Sequence, residues 1–322
     1  MAGALAWRVL GAGPEPGSAA LMVLTNVRLP EVLLAAAVGC GLAVSGGIFQ
    51  VTLRNPLADP LLLGVASGAS LAASIAIGLG ATGGLVPAIA ATAGAGATLA
   101  FVFAVAGRRG RFDPATMVLA GVVASTFYSA ITLFLLAVTP SRTLSQILQW
   151  TMGGFADVGF GKVRWAGPAL VALAALGAAG ARPLNMLALG DDSARSSGLA
   201  VGPTRAILYA IGAALTGVAV AAAGVVGFVG LVVPHLARVL VGPDQRVALP
   251  ASAILGAAMC VGADAVARVA IPLSQTGWAW MHGIAPHTTP VELPVGVVTA
   301  LFGAPFFILL LMRRQARGQG VL

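Results

Sequence analysis

From Leu29 onward the sequence is a succession of apolar runs, covering roughly 29–53, 61–80, 85–106, 117–138, 165–181, 206–233, 248–263 and 293–312. Most of them approach the length that carries an α-helix across a bilayer, about 20 residues. They are long and continuous, unlike the roughly ten-residue alternation of a membrane barrel. The fold class read from them is an all-α polytopic membrane protein. Hydrophobic types make up 58% of the chain and charged types 9%, against about 25% charged in soluble domains. A solvated globular surface cannot be built from that inventory, so the soluble enzyme and the disordered chain are both excluded. The 43 glycines suit close packing between membrane helices. One transmembrane domain, residues 1–322, absorbs the whole length.

The formal net charge is +8. In a membrane protein such an excess is first read as loop arginines on the cytoplasmic side, not as a nucleic-acid surface. The 206–233 run, interrupted by Gly224, Gly227, Gly230 and followed by Pro234, is one tilted span or two shorter ones. Loop charge chooses. One span divides Lys and Arg 8 against 9 between the two faces; two spans divide them 12 against 5. The rich face then holds Arg54, Arg108, Arg109, Arg111, Arg182, Arg195, Arg205, Arg238, Arg246, Arg313, Arg314 and Arg317. The poor face holds Arg28, Arg142, Lys162, Arg164 and Arg268. The expectation is nine spans after a short segment 1–27, with the 182–205 loop and the C-terminus cytoplasmic. The loops 140–164 and 268–292 are then external.

The chain lacks the machinery of catalysis. No GxxxxGK[ST] stretch is present, so it does not hydrolyse ATP by itself. Cys40 and Cys260 stand alone in apolar runs and read as small buried hydrophobes. No catalytic residue, metal site or cofactor is assigned. The spans hold no buried Lys or His of the kind that serves ion coupling. Asp264 and Arg268 are spaced i,i+4 and read as a helix-surface pair at the bilayer edge; Glu31 sits at a helix start, where an acid is favoured. His235 reads as a packing or capping residue. Asp191, Asp192 and Ser193 are helix-start types and Gly198 a helix stop, which gives a short amphipathic helix on the inner loop. That helix is either a tight connection or a docking element. In the outer loop, Trp278, Trp280, Met281, His282 and His287 read as interfacial anchors, or alternatively as ligands for a metal or haem-like group.

Several segments together resemble a known family. They are Arg28-Leu-Pro30, Gly39–Gln50 (GCGLAVSGGIFQ), Arg54–Pro60 (RNPLADP), Leu63-Gly64, Leu119–Gly121, Trp150–Gly154, Leu184–Leu199, Gly227–Arg238 (GFVGLVVPHLAR), Gly262–Arg268 and Glu292–Phe306. In this order they are similar to the FecCD/BtuC-type permeases, the membrane subunits of ABC importers for iron–siderophore complexes, haem and vitamin B12.

The resemblance implies a BtuC-like bundle of ten helices, of which the first, before Arg-Leu-Pro, has no counterpart here. It implies a homodimer in a bacterial inner membrane, in contact with lipid, with two cytoplasmic ATP-binding subunits and a soluble or lipid-anchored binding protein. It places ATPase coupling on Leu189, Gly190, Asp191, Asp192, Ala194, Arg195 and Gly198. It places binding-protein docking on Arg28 and Arg268, and a motif in the translocation region on Gln50, Asn55, Pro56, Pro60 and Gly64. Where many members carry a second basic residue after Arg-Leu-Pro, this chain has Glu31. Its 268–292 loop is also longer than usual. The cargo expected is a metal chelate: a ferric siderophore, with haem or cobalamin as alternatives. A secondary transporter without an ATPase and a non-transport scaffold are the rival readings.

Overall fold

A computed structural model describes residues 18–81, 85–106, 114–156, 158–282 and 293–316, and contains no strand among them. A short helix, α1 (Ser18–Val23), passes through a π-helical turn at Leu24–Arg28 into α2 (Leu29–Thr52). A 3-10 turn at Pro60–Leu63 leads to α3 (Val65–Gly78). Then come α4 (Leu85–Ala106), α5 (Pro114–Val138), α6 (Ser141–Met152), α7 (Phe160–Ala179), α8 (Ala181–Ala188) and α9 (Asp191–Ser196). The chain ends through α10 (Val201–Ala223), α11 (Val229–Val241), α12 (Gln245–His282) and α13 (Val295–Ala316).

Among the described residues, five helical stretches are long and apolar enough to cross a bilayer: Leu21–Thr52, Leu85–Ala106, Ala115–Val138, Val201–Ala223 and Gln245–Ala270. Helices α7 and α8 pass the same test only when taken together, and are bent by 51° at their break. Val65–Gly78, Val229–Val241 and Val295–Ile308 are shorter apolar helices. In chain order these segments fall on the apolar runs of the sequence. The 206–233 run is split, as the charge tally required: α10 stops at Ala223 and α11 starts at Val229. Two stretches expected as loop are helical. Residues 141–152 form α6, and α12 continues through Arg268 to His282. The side chains of Trp278, Trp280, Met281 and His282, and the whole of His287, lie outside the described residues.

Helix α2 is the centre of the bundle, packed by α7, α10, α11 and α12. Leu34, Val38, Leu42, Ile48 and Phe49 on it are fully buried or nearly so. It is reached so closely because its crossing points are glycines. A Cβ on Gly39 would stand 2.1 Å from the Gly256 carbonyl oxygen of α12, and one on Gly46 would stand 1.8 Å from that of Gly230 on α11. Backbone-to-backbone contact of this kind gives membrane helices their packing attraction where no hydrophobic drive exists between them. Ser45 adds a polar tie, donating to the Gly212 carbonyl of α10 at 2.7 Å.

Candidate functional site

The loop between α7 and α10 folds into α8 and the single turn and a half of α9. Ala194 points into the protein and is buried, whereas Leu189, just before α9, is 77% exposed. The helix ends as the sequence predicts. Gly198 takes φ +83, its N–H donates to the Arg195 carbonyl, and the Leu199 N–H reaches Ala194. That is the glycine-terminated helix end of the Schellman type.

Asp191 is turned back onto the bundle. Arg205 of α10 donates from Nη2 to Oδ1 at 2.6 Å and from Nη1 to Oδ2 at 3.3 Å. Arg54, just past α2, donates to the same Oδ1. Its Nε also points at the Leu187 carbonyl, at 3.4 Å. Partial burial pushes the Asp191 carboxyl up. The Arg205 hydrogen bond and the charges of Arg205, Arg54 and Arg195 outweigh that, and hold it below the ordinary range. Asp192 and Arg195, by contrast, face solvent and pair loosely at 3.6 Å. On the other flank, Asn185 donates to Asp244 at 2.6 Å and accepts from the Gln245 N–H at 2.9 Å, which ties α8 to the start of α12.

The 50–64 motif gathers beside this cluster. Gln50 is buried; its Nε2 donates to the carbonyls of Gly230 and Leu231 and its Oε1 accepts from Arg238. Asn55 accepts from the Leu57 N–H and Asp59 from that of Leu61, which shapes the turn carrying Pro56. Pro60 packs on Gly230, and Gly64, at φ +79, lies against the Gly121 carbonyl of α5. The structure thus brings Gln50 and Pro60 together at the start of α11, and sets Gly64 apart against α5.

The cavity of this region escaped the sequence reading. The end of α6, the break between α10 and α11, and the start of α13 border a widely open, mainly apolar cavity of about 610 Å3. Met152, Phe228, Val297 and Leu301 line it, and Thr151 is the polar side chain on its wall. A pocket of this size accommodates a small molecule. Its corner is a junction of three glycines. Cβ atoms on Gly153, Gly224 and Gly296 would stand 2.2 Å from the Val225, 2.2 Å from the Trp150 and 2.4 Å from the Met152 carbonyl oxygens. Irregular backbone at membrane depth is tolerated where protein or a cavity covers it. Phe228 takes φ +65, an outlier for a bulky residue. The sequence signal was present in GG at 153–154, the glycines from 224 and PVG at 294–296; their proximity was not.

At the opposite end of α2, Glu31 and Asp264 hold Arg268. Arg268 Nη1 donates to Glu31 at 2.7 Å, and its Nε and Nη2 donate to Asp264 at 2.9 and 2.6 Å. Arg28 donates to the same Glu31 oxygen at 3.1 Å. The predicted Asp264–Arg268 pair is present, and Glu31 joins it to α2. Arg268 is thereby more enclosed than Arg28, with side chains 15% and 27% exposed. Among the described residues no group of three His, Cys, Asp or Glu side chains could hold a metal ion.

Discontinuous apolar helices around an apolar cavity, with a short exposed helix on one connecting loop, fit a transport permease. The FecCD transport family profile matches residues 4–313, and the chain belongs to that family. It is 39% identical over 298 residues to the cobalamin import system permease protein BtuC of Halobacterium salinarum, covering 92% of this chain and 75% of that one. It is 37% identical over 301 residues to the hemin transport system permease protein HmuU of Yersinia pestis, covering 92% and 84%. A solved structure described as an inward-facing conformation of a metal-chelate type ABC transporter superposes with a TM-score of 0.81 at 29% identity, covering 93% of this chain and 90% of that one.

Proposed function

We propose that this chain is the membrane-spanning subunit of an ABC importer that passes a metal chelate from a binding protein to the cytoplasm, driven by a separate ATPase. Family membership over residues 4–313 supports the permease role. The observation that carries the coupling is the α9 tip: Asp192 and Arg195 on α9 and Leu189 just before it face outward, while Asp191 is clamped to Arg205 of α10 and to Arg54 just past α2. An exposed leucine beside charged side chains on a loop tip is a small knob for a partner's groove. The clamp makes displacement of that knob a displacement of the bundle. The α9 end is the cytoplasmic one on the charge tally, and the Arg268 end is external.

The cargo is a coordinatively closed chelate. The cavity wall is apolar and carries no ligand set, so a sealed complex slides against it where a bare ion would find no donors. Ferric siderophore and cobalamin meet that condition, haem meets it except at its axial positions, and the named relatives favour a macrocycle. Two copies of the chain enclose the path. Arg28, the more exposed of the two arginines, is the main anchor for acidic residues of the binding protein.

The test is uptake of labelled cobalamin, haem and a ferric siderophore into liposomes holding the chain with its cognate ATPase and binding protein. Uptake of one chelate that requires ATP and both partners is expected. Uptake without the ATPase would establish the secondary-transporter reading instead.

A further inference from the structure

Helix α11 carries a proline in its second turn, Pro234. Proline has no N–H, so the Gly230 carbonyl, which accepts from residue 234 in an uninterrupted helix, loses its partner. A different helix supplies the donor. Gln50 Nε2 donates to the Gly230 carbonyl at 3.3 Å and to that of Leu231 at 3.1 Å. The same carboxamide accepts from Arg238, further along α11. Gln50 therefore grips α11 on both sides of its proline. No gap is available for slippage, since Gly46 of α2 meets Gly230 backbone to backbone.

Four residues after Gln50 stands Arg54. The end of α2 closes by an Asn55 N–H donating to the Gln50 carbonyl and an Arg54 N–H donating to that of Val51. This is the Schellman ending, in which the position in left-handed conformation is usually glycine. Here it is Arg54, at φ +49. A residue kept in a costly conformation that glycine would adopt freely points to a use for its side chain. That side chain holds α9 at Asp191 and the end of α8 at the Leu187 carbonyl.

We infer that the last turn of α2 is the linkage between α9 and the cavity, with Arg54 and Gln50 as its two positioning residues. Arg54 holds α9; Gln50 holds α11; and α11 opens at Phe228, on the cavity wall. A push on α9 is delivered to α11 through one rigid turn. This rests on the importer reading above and names the residues that would carry its coupling.

The experiment uses the full chain in liposomes with its cognate ATPase. It carries Ala300→Cys on the cavity wall, in a Cys40→Ala, Cys260→Ala background. Maleimide labelling rates are compared without nucleotide and with a non-hydrolysable ATP analogue. The background protein shows a nucleotide-dependent difference in rate. Gln50→Leu loses that difference with the ATPase still bound at α9. Arg54→Gly loses it too, although glycine relieves the backbone and the melting temperature does not fall; Arg54→Lys retains part of it. Because Arg54→Gly is undemanding to fold, it decides the matter if Gln50→Leu fails to assemble. An undiminished difference in Arg54→Gly, or in an assembled Gln50→Leu, overturns the linkage. A background protein that binds no ATPase is a separate result, and overturns the importer reading itself.

Discussion

Arg268 Nη1 lies 2.7 Å from Glu31 Oε2, and this contact joins α12 to the first turn of α2 at the end of the bundle remote from α9. Glu31 and Asp264 are almost fully buried, with side chains 2% and 5% exposed. Removing the arginine between them leaves enclosed carboxylates without their main counter-charge, which typically costs about 3–5 kcal/mol. Arg268→Gln should therefore lower the melting temperature of the purified protein clearly. Glu31→Gln should lower it less, because Arg268 keeps Asp264. Equal, small effects would mean that the cluster is solvated.

Docking of the binding protein should separate the two arginines. Arg28→Glu should slow association and weaken its salt dependence, as removal of a rim charge does. Association rates at two ionic strengths measure this. If Arg28→Glu leaves the on-rate unchanged, the anchor lies elsewhere on that face.

Asp191 and its neighbours should give different phenotypes. Asp192→Ala with Arg195→Ala removes exposed contacts and should weaken ATPase binding, leaving α9 in place. Asp191→Asn should loosen α9 itself, so that ATP hydrolysis runs with less uptake per ATP. The pH sign follows from the lowered carboxyl pKa. The clamp's contribution is complete above the unfolded value, about 3.9, and is lost only as pH falls through the still lower folded value. Coupling should accordingly show no step from this group between about pH 5 and 8. A step there that vanishes in Asp191→Asn would contradict the geometry.

Neighbouring glycines in α2 should differ sharply. A Cβ at Gly46 meets the Gly230 backbone at 1.8 Å, whereas one at Gly47 meets the end of the Leu249 side chain at 2.8 Å. Backbone cannot step aside as a leucine methyl can. Gly46→Ala should destabilise by at least the 1–3 kcal/mol or so typical of overpacking and abolish uptake; Gly47→Ala should be much milder. Thermal unfolding and uptake, measured together, check both.

Sidedness is checked by Arg195→Cys in a cysteine-free background, which should react with an impermeant maleimide only in inverted vesicles. Reaction in intact cells would reverse the orientation.

Much of this was legible before any coordinates. Apolar runs give helices because the bilayer demands internal hydrogen bonding, and the split of the 206–233 run is implied by the loop arginines together with Gly224, Gly227, Gly230 and Pro234. Asp191 to Gly198 declared a helix through its end residues. Hidden from the sequence was everything set by contact between distant segments. Arg54 and Arg205 looked like two ordinary cytoplasmic charges; only the fold turns both onto Asp191. Glu31 was readable as a helix-start acid, but its hold on Arg268 spans 237 residues. The cavity is apolar, and an apolar wall has the composition of every other membrane surface. Residues 268–282 read as loop in the sequence because Arg, Pro and polar types interrupt the hydropathy there, although helix geometry persists through them.

The three-glycine junction has a consequence for biogenesis. Gly153, Gly224 and Gly296 belong to segments synthesised far apart: Gly153 meets the Val225 carbonyl, and Gly296 of α13 then meets the Met152 carbonyl. Until then, irregular backbone at that depth faces lipid or water without a protein partner. Helix α13, late in the chain order, is therefore the one that closes the seam. A chain ending before Val295 would insert most of its spans and still present an open defect to the quality-control proteases of the membrane.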